Sequence, residues 1–165
     1  MKTTIVFYSM SGNTRFTAEK IADNLSAELT ELIPVKEYPS SGFRKFLWGG
    51  KSAVMGDKPK LRDYSFDKKC EMLVFGTPVW AGNFTPPLRT FIEENREVLK
   101  DKRFAVFVCY SGGGADKAIA KLKKLLNSEG FAAELVLIDP KDKLSEENEK
   151  LIYDFCDKLK EPEIR

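Results

Sequence analysis

The run Thr3-Thr4-Ile5-Val6-Phe7-Tyr8 is followed at once by Ser9-Met10-Ser11-Gly12-Asn13-Thr14. The first half is β-branched and aromatic, which is typical of a buried strand, and the second half is polar with a glycine, which is typical of a turn. Apolar residues then recur at positions 18, 21, 22, 25 and 29, the spacing of one helical face. The sequence therefore predicts a strand, a hydroxyl-rich loop and a helix over residues 16–29.

The same alternation of strand and helix continues along the chain. Further strands are predicted over residues 31–36, 71–76, 104–110 and 132–138. Further helices are predicted over residues 88–99, 115–126 and 145–159, the last with Ser145 as its N-cap. Because the strands are continuously apolar, they indicate a parallel sheet that is covered by helices on both faces.

The number and order of these elements predict one α/β domain over residues 1–165, with a five-stranded parallel sheet of order 2-1-3-4-5. Pro34 cannot donate a hydrogen bond to a neighbouring strand, so the strand over residues 31–36 is expected at an edge. Residues 43–55 are the candidate for the crossover helix between the second and third strands. Since Gly49 and Gly50 interrupt this segment, a short helix followed by a long loop is the alternative.

The charge balance is nearly even, with 27 basic and 25 acidic residues and a net charge of +2. Nucleic acid is therefore not expected as a partner, and the basic residues between Arg44 and Arg62 are interpreted as solvated surface. No apolar run approaches the roughly 20 residues of a membrane-spanning helix, so membrane insertion is not expected. The first residues lack the features of a signal peptide, which predicts a cytoplasmic location.

The chain contains no histidine, which removes the commonest general base and zinc ligand. Its three cysteines, Cys70, Cys109 and Cys156, are far apart in sequence and are interpreted as small buried apolar residues. We therefore expect no metal site and no catalytic side chain. Chemistry is expected to come from a bound cofactor.

The first of three candidate ligand loops consists of Ser9, Met10, Ser11, Gly12, Asn13 and Thr14. Ligands of open parallel sheets bind beyond the carboxyl ends of the strands, near the point where the strand order reverses. Hydroxyls and backbone N–H groups at a helix N-terminus hold a phosphate without needing a cation. An ordinary capped turn is the alternative, but the loop has more donors than one cap needs, which favours phosphate.

Two more loops are predicted at the same edge of the sheet. The second consists of Thr77, Pro78, Val79, Trp80, Ala81, Gly82, Asn83 and Phe84, and the third of Cys109, Tyr110, Ser111, Gly112, Gly113 and Gly114. The second loop suits a flat, partly apolar ring, on which Trp80 either stacks or packs under the loop, while Gly82 allows backbone to approach the edge of the ring. The three glycines of the third loop permit close contact with a ligand or form a flexible turn.

With these loops, the chain resembles the flavodoxin-like family of FMN proteins along nearly its whole length. Residues 9–14 resemble the family's Thr/Ser-x-Thr/Ser-Gly-x-Thr phosphate loop, and residues 77–83 resemble its Pro-x-Tyr/Trp-x-Gly-Asn loop, which contacts the isoalloxazine. The resemblance implies a flavodoxin-like three-layer sandwich that binds FMN. It also implies that the first loop wraps the phosphate and that the second loop contacts the ring.

Two departures from the family leave its function open. Electron-carrier flavodoxins are typically acidic and place an aromatic side chain of the third loop on the flavin, whereas this chain is nearly neutral and glycine-rich there, with Tyr110 as a candidate substitute. An electron carrier that serves a redox partner protein is the first interpretation, because no nicotinamide-nucleotide site is recognisable. An NAD(P)H-dependent FMN or quinone reductase is the second. A receiver-like phosphate-sensing module is disfavoured, because Tyr8-Ser9-Met10 lacks the paired aspartates that it needs.

Overall fold

Strands and helices alternate along nearly all of the chain. The computed structural model describes residues 1–38, 43–143 and 145–161, and for residues 43–48 it describes the backbone only. The strands are β1 (Thr3–Phe7), β2 (Glu28–Glu31), β3 (Met72–Pro78), β4 (Arg103–Tyr110) and β5 (Glu134–Ile138). The helices are α1 (Asn13–Leu25), α2 (Phe43–Met55), α3 (Pro86–Glu94), α4 (Arg96–Leu99), α5 (Ala115–Leu126) and α6 (Glu146–Lys160).

All five strands are parallel, and their order in the sheet is β2-β1-β3-β4-β5, as predicted. Ile5 of β1 lies between Leu29 of β2 and Val74 of β3. The strand order therefore reverses at β1 and β3, and the loops that follow these two strands diverge to opposite faces of the sheet. This divergence opens a crevice at the carboxyl edge, which is where such folds bind their ligands.

Two hydrophobic clusters cover the two faces of the sheet. Successive residues of a strand point to opposite faces, so Val6 packs into one cluster and Ile5 into the other. The first cluster also contains Phe91 of α3, and the second contains Phe155 of α6. The predicted three-layer sandwich is confirmed. Cys70, Cys109 and Cys156 are buried and unbridged, as the sequence predicted.

The predicted bounds of the second strand were wrong. The sequence indicated residues 31–36, whereas β2 spans Glu28–Glu31 and ends opposite Phe7, the last residue of β1. Parallel pairing cannot continue where the partner strand has ended. Pro34 lies beyond β2 in an isolated antiparallel bridge with Leu61. Glu28 and Leu29 are exposed, so the apolar pattern that marks a buried strand is missing from β2.

Two of the predicted helices have different bounds in the structure. The helix expected over residues 88–99 is divided at Asn95, whose side-chain Nδ2 donates to the Phe91 carbonyl at 2.8 Å and to the Tyr64 hydroxyl at 2.9 Å. The first helix starts at Asn13, earlier than predicted, and ends where Ser26 adopts a left-handed conformation with φ 51°. The N-cap prediction for α6 is confirmed, because Ser145 Oγ accepts the Asn148 N–H at 3.1 Å.

The crossover helix α2 is continuous through both of its glycines, so the alternative of a short helix with a long loop was wrong. Gly49 packs directly against the indole of Trp80, where a Cβ would lie 3.1 Å from Trp80 Cε3. A glycine in this helix thus serves close packing and does not end the helix. None of the described helices is long and apolar enough to cross a membrane.

Candidate functional site

The three predicted loops lie side by side at the carboxyl edge of the sheet and line one cavity of about 560 Å³. This volume is in the range of small-molecule sites, which is about 300–1,000 Å³. The predicted residues that line it are Met10, Ser11, Asn13, Thr14, Pro78, Val79, Trp80, Cys109, Tyr110, Ser111, Gly112 and Gly113. Ala81 of the second loop also lines it, and two further lining residues, Gly50 and Asp139, lie outside the three predicted loops.

Ser9 shapes the first loop from within. Its Oγ accepts the backbone N–H of Gly12 and that of Arg15, both at 3.2 Å. Gly12 immediately precedes α1 and has a φ of 94°, a conformation that glycine adopts without strain. Ser9 and Gly12 therefore do not line the cavity themselves but hold the loop in the shape that exposes its other residues.

The first loop presents unpartnered donors to the cavity. Within the described residues, the backbone N–H groups of Ser11, Asn13 and Thr14 donate no hydrogen bond, and the N-cap residue Gly12 has no side chain with which to cap α1. The first N–H groups of a helix have no partner inside the helix, and the helix dipole adds a partial positive charge there. The start of α1 is therefore a ready site for an anion.

Asn13 also connects the first loop to the segment after β5. Its Oδ1 accepts the Lys141 backbone N–H at 2.8 Å, and its Nδ2 donates to Asp142 Oδ2 at 3.4 Å. Asn13 is buried, with 8% of its surface exposed. Residues 139–143 thereby become a fourth segment of the site.

Asp139 is the main lining residue that the sequence reasoning missed. It has a φ of 43°, its carboxylate accepts a hydrogen bond from Ser111 Oγ, and its Oδ2 lies 3.4 Å from Lys143 Nζ. A sequence signal was present, because Asp139 directly follows the strand predicted over residues 132–138. Ligands bind beyond the carboxyl ends of the strands, and this reasoning, which selected the loops after the first, third and fourth strands, applies equally to the residue after the fifth.

The second loop is a tight turn that is anchored to α2. Trp80 and Asn83 exchange two backbone hydrogen bonds of 2.9 and 3.0 Å, across Ala81 with φ 50° and Gly82 with φ 67°. Two left-handed residues between paired ones are the geometry of a primed hairpin turn, which favours glycine. Asn83 is only 4% exposed, and its Nδ2 donates to the Ala53 carbonyl of α2 at 2.7 Å. Asn83 thus contacts α2 and does not line the cavity.

Thr77 and Phe84 anchor the two ends of the second loop through buried contacts. Thr77 Oγ1 accepts the Thr85 N–H at 3.1 Å, and the two threonine hydroxyls are hydrogen-bonded at 3.0 Å. Phe84 is 2% exposed and lies in the first hydrophobic cluster. Neither residue lines the cavity, although both were predicted to be in the site.

Trp80 both lines the cavity and packs against neighbouring side chains, while its predicted stacking on a ligand ring stays a prediction. Its indole lines the cavity, and it also packs edge to face against Tyr8, at 5.6 Å between ring centroids, and against Tyr38, at 5.1 Å. Gly49 lies against its six-membered ring. Burial raises the pKa of the Tyr8 phenol, so this neighbour stays neutral. The indole is therefore a fixed apolar wall of the cavity.

The glycines of the third loop divide into two groups. A Cβ built on Gly112 or Gly113 meets no atom within 4 Å, so both face open space. A Cβ on Gly114 would lie 2.8 Å from Gly82 Cα. Gly82 and Gly114 thus allow the second and third loops to touch, and they are not among the lining residues.

The ionisable lining residues of the described chain are Cys109, Tyr110 and Asp139. Burial raises the pKa of the Cys109 thiol to about 11, and its Sγ lies 3.6 Å from Thr17 Oγ1. A thiol that stays neutral at physiological pH is a poor nucleophile. The cavity therefore combines an anion site, an indole wall and an open glycine-lined side, an arrangement that suits a phosphorylated flat cofactor better than side-chain catalysis.

The chain as a whole is similar to known proteins. A family model described as Flavodoxin matches residues 5–154. Among curated proteins no match is found.

Three solved structures with the same fold are of flavoproteins or flavodoxins, and all three are below 25% sequence identity to this chain. A flavoprotein from Lactobacillus acidophilus NCFM in complex with FMN is 22% identical with a TM-score of 0.69, and the match covers 86% of this chain and 95% of that one. The apo-form of the flavoprotein from the same organism is 24% identical with a TM-score of 0.62, covering 88% and 97% of the two chains. A WrbA-like flavodoxin from Agrobacterium tumefaciens is 16% identical with a TM-score of 0.58, covering 94% and 95%. These similarities establish the fold.

Proposed function

The chain belongs to the flavodoxin family, whose cofactor is FMN, and we propose that it is an electron carrier that works through one FMN held in the cavity of the three loops. The observation that carries this proposal is the set of N–H groups at the start of α1 that have no partner among the described residues, beside a cleft that is lined by an indole and glycines. A redox partner protein would exchange electrons with the flavin. The cytoplasmic location predicted from the sequence is part of the same proposal.

The first loop fits the phosphate of FMN. The backbone N–H groups of Ser11, Asn13 and Thr14 would donate to the phosphate oxygens, and the exposed Ser11 hydroxyl adds another donor. Ser9 holds the loop in this shape through its two hydrogen bonds. Main-chain donors that are already oriented lose little conformational freedom when the anion binds.

The second and third loops fit the ring. Trp80 is held by Tyr8, Tyr38 and Gly49, so it offers a rigid apolar surface to one side of an aromatic cofactor. Bound FMN supplies the capacity to take up and release electrons one or two at a time. The protein would orient the ring, keep water from its buried side and leave its edge accessible to a partner.

The described lining of the cavity includes no histidine and no reactive thiol, which is consistent with a carrier, and its other ionisable groups are Tyr110 and Asp139. The chain has no histidine, and the cavity thiol of Cys109 stays protonated because burial raises its pKa to about 11. Transfer of single electrons to and from a bound flavin needs no protein nucleophile. The side chains of the cavity therefore match a binding and tuning role.

A second candidate function, an NAD(P)H-dependent FMN or quinone reductase, is favoured by one observation. The space beside Gly112 and Gly113 is open, since a Cβ on either residue meets no atom within 4 Å. A nicotinamide or a quinone must reach one face of the flavin, and an open third loop would admit it.

Two measurements on the FMN-loaded protein separate the candidates. A carrier is expected to bind FMN in a 1:1 ratio, to be reduced in two resolved one-electron stages, and to oxidise NADH and NADPH no faster than free FMN does. Steady turnover of either nucleotide with a quinone would establish the reductase instead. Failure to retain FMN on a desalting column, with no change in flavin fluorescence on mixing, would refute both.

A further inference from the structure

We propose that Lys141 supplies a positive charge to the phosphate end of the flavin site, so that this protein selects a phosphorylated flavin by charge as well as by main-chain donors. The observation is that Lys141 Nζ lies 3.1 Å from the position of a Cβ on Gly12, the residue that immediately precedes α1. This inference rests on the proposed function, because it assigns a charged partner to the phosphate of the same cofactor.

The outer part of the Lys141 side chain lies against Gly12 of the first loop. Its Cδ lies 3.4 Å and its Cε 3.8 Å from the same Cβ position on Gly12, so the aliphatic stem covers the glycine and the ammonium reaches the start of α1. The N–H groups of Ser11 and Asn13, on either side of Gly12, have no acceptor within the described residues. The ammonium therefore lies against Gly12, the residue between two of the donors that the phosphate would use, and Lys141 itself is not among the lining residues.

The backbone of Lys141 is attached to the same turn. Its N–H donates to Asn13 Oδ1 at 2.8 Å, and Asn13 is nine-tenths buried. Pro140, the preceding residue, is buried as well. The lysine is thus fixed at its base to the first turn of α1, and only its side chain remains to be ordered by a ligand, which limits the entropy lost on binding.

No other residue in the described part of the chain neutralises the charge of Lys141. Among the ion pairs of the described residues, Lys143 pairs with Asp139 and Arg15 pairs with Glu31, whereas Lys141 has no carboxylate partner. The nearest carboxylate along the chain, that of Asp142, accepts a hydrogen bond from Asn13 Nδ2 at 3.4 Å. This negative charge near the first loop would oppose a phosphate, and the Lys141 ammonium would offset it.

Gly12 would then have a second role. Its φ of 94° already favours glycine, and any side chain at this position would meet the Lys141 ammonium. The same missing Cβ that permits the turn therefore lets a cation approach the anion site.

The experiment compares the dissociation constants of FMN and riboflavin, which differ only in the phosphate. Both are measured by quenching of flavin fluorescence in the unmodified protein, Lys141→Met, Lys141→Arg and the charge-matched control Lys150→Met. Lys150 is an exposed residue of α6, outside the cavity lining. We expect Lys141→Met to bind FMN about tenfold more weakly, as one partly exposed charged hydrogen bond implies, and to bind riboflavin unchanged.

Two further results are expected if the charge is responsible. Lys141→Arg should keep FMN affinity within about twofold, because the charge is retained. The difference between the unmodified protein and Lys141→Met should also shrink as salt is raised from about 0.05 to 0.5 M, because ions screen an exposed pair.

Three outcomes would overturn the inference. Equal FMN affinity in Lys141→Met and Lys150→Met would remove the proposed charge and leave the proposed function intact. Equal weakening of FMN and riboflavin would make Lys141 a structural residue of the loop. A protein that binds neither flavin would refute the proposed function itself, and this inference with it.

Discussion

Gly49 of α2 lies directly against the indole of Trp80, at 3.1 Å between the Cβ position of the glycine and Cε3 of the ring. The crossover helix thereby fixes one wall of the cavity, although it lies far from the second loop in sequence. Its other glycine, Gly50, is less constrained, because a Cβ there meets Ala81 Cβ at an ordinary 3.5 Å. The two neighbouring glycines provide a matched pair for testing this contact.

The first prediction concerns that pair. Gly50→Ala is expected to stabilise the protein by up to about 1 kcal/mol, since alanine has the higher helix propensity. Gly49→Ala gains the same propensity but is expected to push Trp80 towards the cavity, which should make it less stable than Gly50→Ala by about 1–2 kcal/mol and weaken FMN binding severalfold. Urea unfolding and flavin titration measure both effects. Identical behaviour of the two variants would show that the indole moves freely.

The contact between the second and third loops leads to a second prediction. A Cβ on Gly114 would lie 2.8 Å from Gly82 Cα, and Gly114 also has a φ of 86°. Gly114→Ala is therefore expected to lower the free energy of unfolding by about 2–4 kcal/mol, through strain and overlap together. Gly112→Ala is the control, because its Cβ meets no atom within 4 Å. Denaturant curves that coincide for the two variants would contradict this.

The open space beside the third loop leads to a third prediction. Gly112→Trp is expected to place an aromatic surface over the bound ring and to tighten FMN binding about twofold to tenfold, the gain of one aromatic contact. Gly130→Trp is the control, since Gly130 also faces open space but lies outside the cavity lining. Flavin fluorescence titration reports both. Equal affinities would show that residue 112 does not face the flavin.

Asn13 provides a fourth prediction, because it connects Lys141 to the first loop. Asn13→Ala keeps the backbone N–H that faces the phosphate but releases Lys141, so FMN binding should weaken about threefold to tenfold. If Asn13 acts on the cofactor through Lys141, the double variant Asn13→Ala/Lys141→Met should bind FMN no more weakly than Lys141→Met alone. Fully additive losses in this double-mutant cycle would argue that the two residues act separately.

The buried thiols lead to a prediction about pH. Burial raises the pKa of Cys109 and that of Cys156 from 9.0 to about 11 in the folded protein. A folded-state pKa above the unfolded value contributes stability that is complete below about pH 9 and is lost as pH rises towards 11. The free energy of unfolding should therefore fall in this window, by up to about 1.4 kcal/mol per pH unit for each thiol. Urea unfolding under reducing conditions at pH 8, 9 and 10 measures the fall. In Cys109→Ala, the free energy of unfolding should fall less steeply with pH. A slope equal to that of the unmodified protein would show that Cys109 does not contribute to the fall.

Much of the fold could be predicted from local pattern. The strands at Thr3–Phe7 and Met72–Pro78 are buried on both faces, so their apolar runs are unmistakable, and a hydroxyl-rich loop after the first of them indicates an anion site. The apolar pattern does not predict the bounds of a strand that lies at the edge of the sheet, or of a helix that ends because of a tertiary contact. The exposed strand Glu28–Glu31 has no apolar run, and the helix break at Asn95 depends on the hydroxyl of Tyr64.

The sequence by itself determined which loops meet at one edge of the sheet, because parallel strands joined by helices place all their carboxyl ends together. Its five strands and alternating helices also fit the strand order that the sheet adopts. The tertiary structure decided which residues of those loops line the cavity. Gly82 and Gly114 face each other while Gly112 faces open space, and Lys141 reaches Gly12 from a separate loop. The spacing of apolar residues in the sequence indicates which side of each strand or helix packs against the core. Contacts between loops depend on distances that exist only once the sheet and helices have packed.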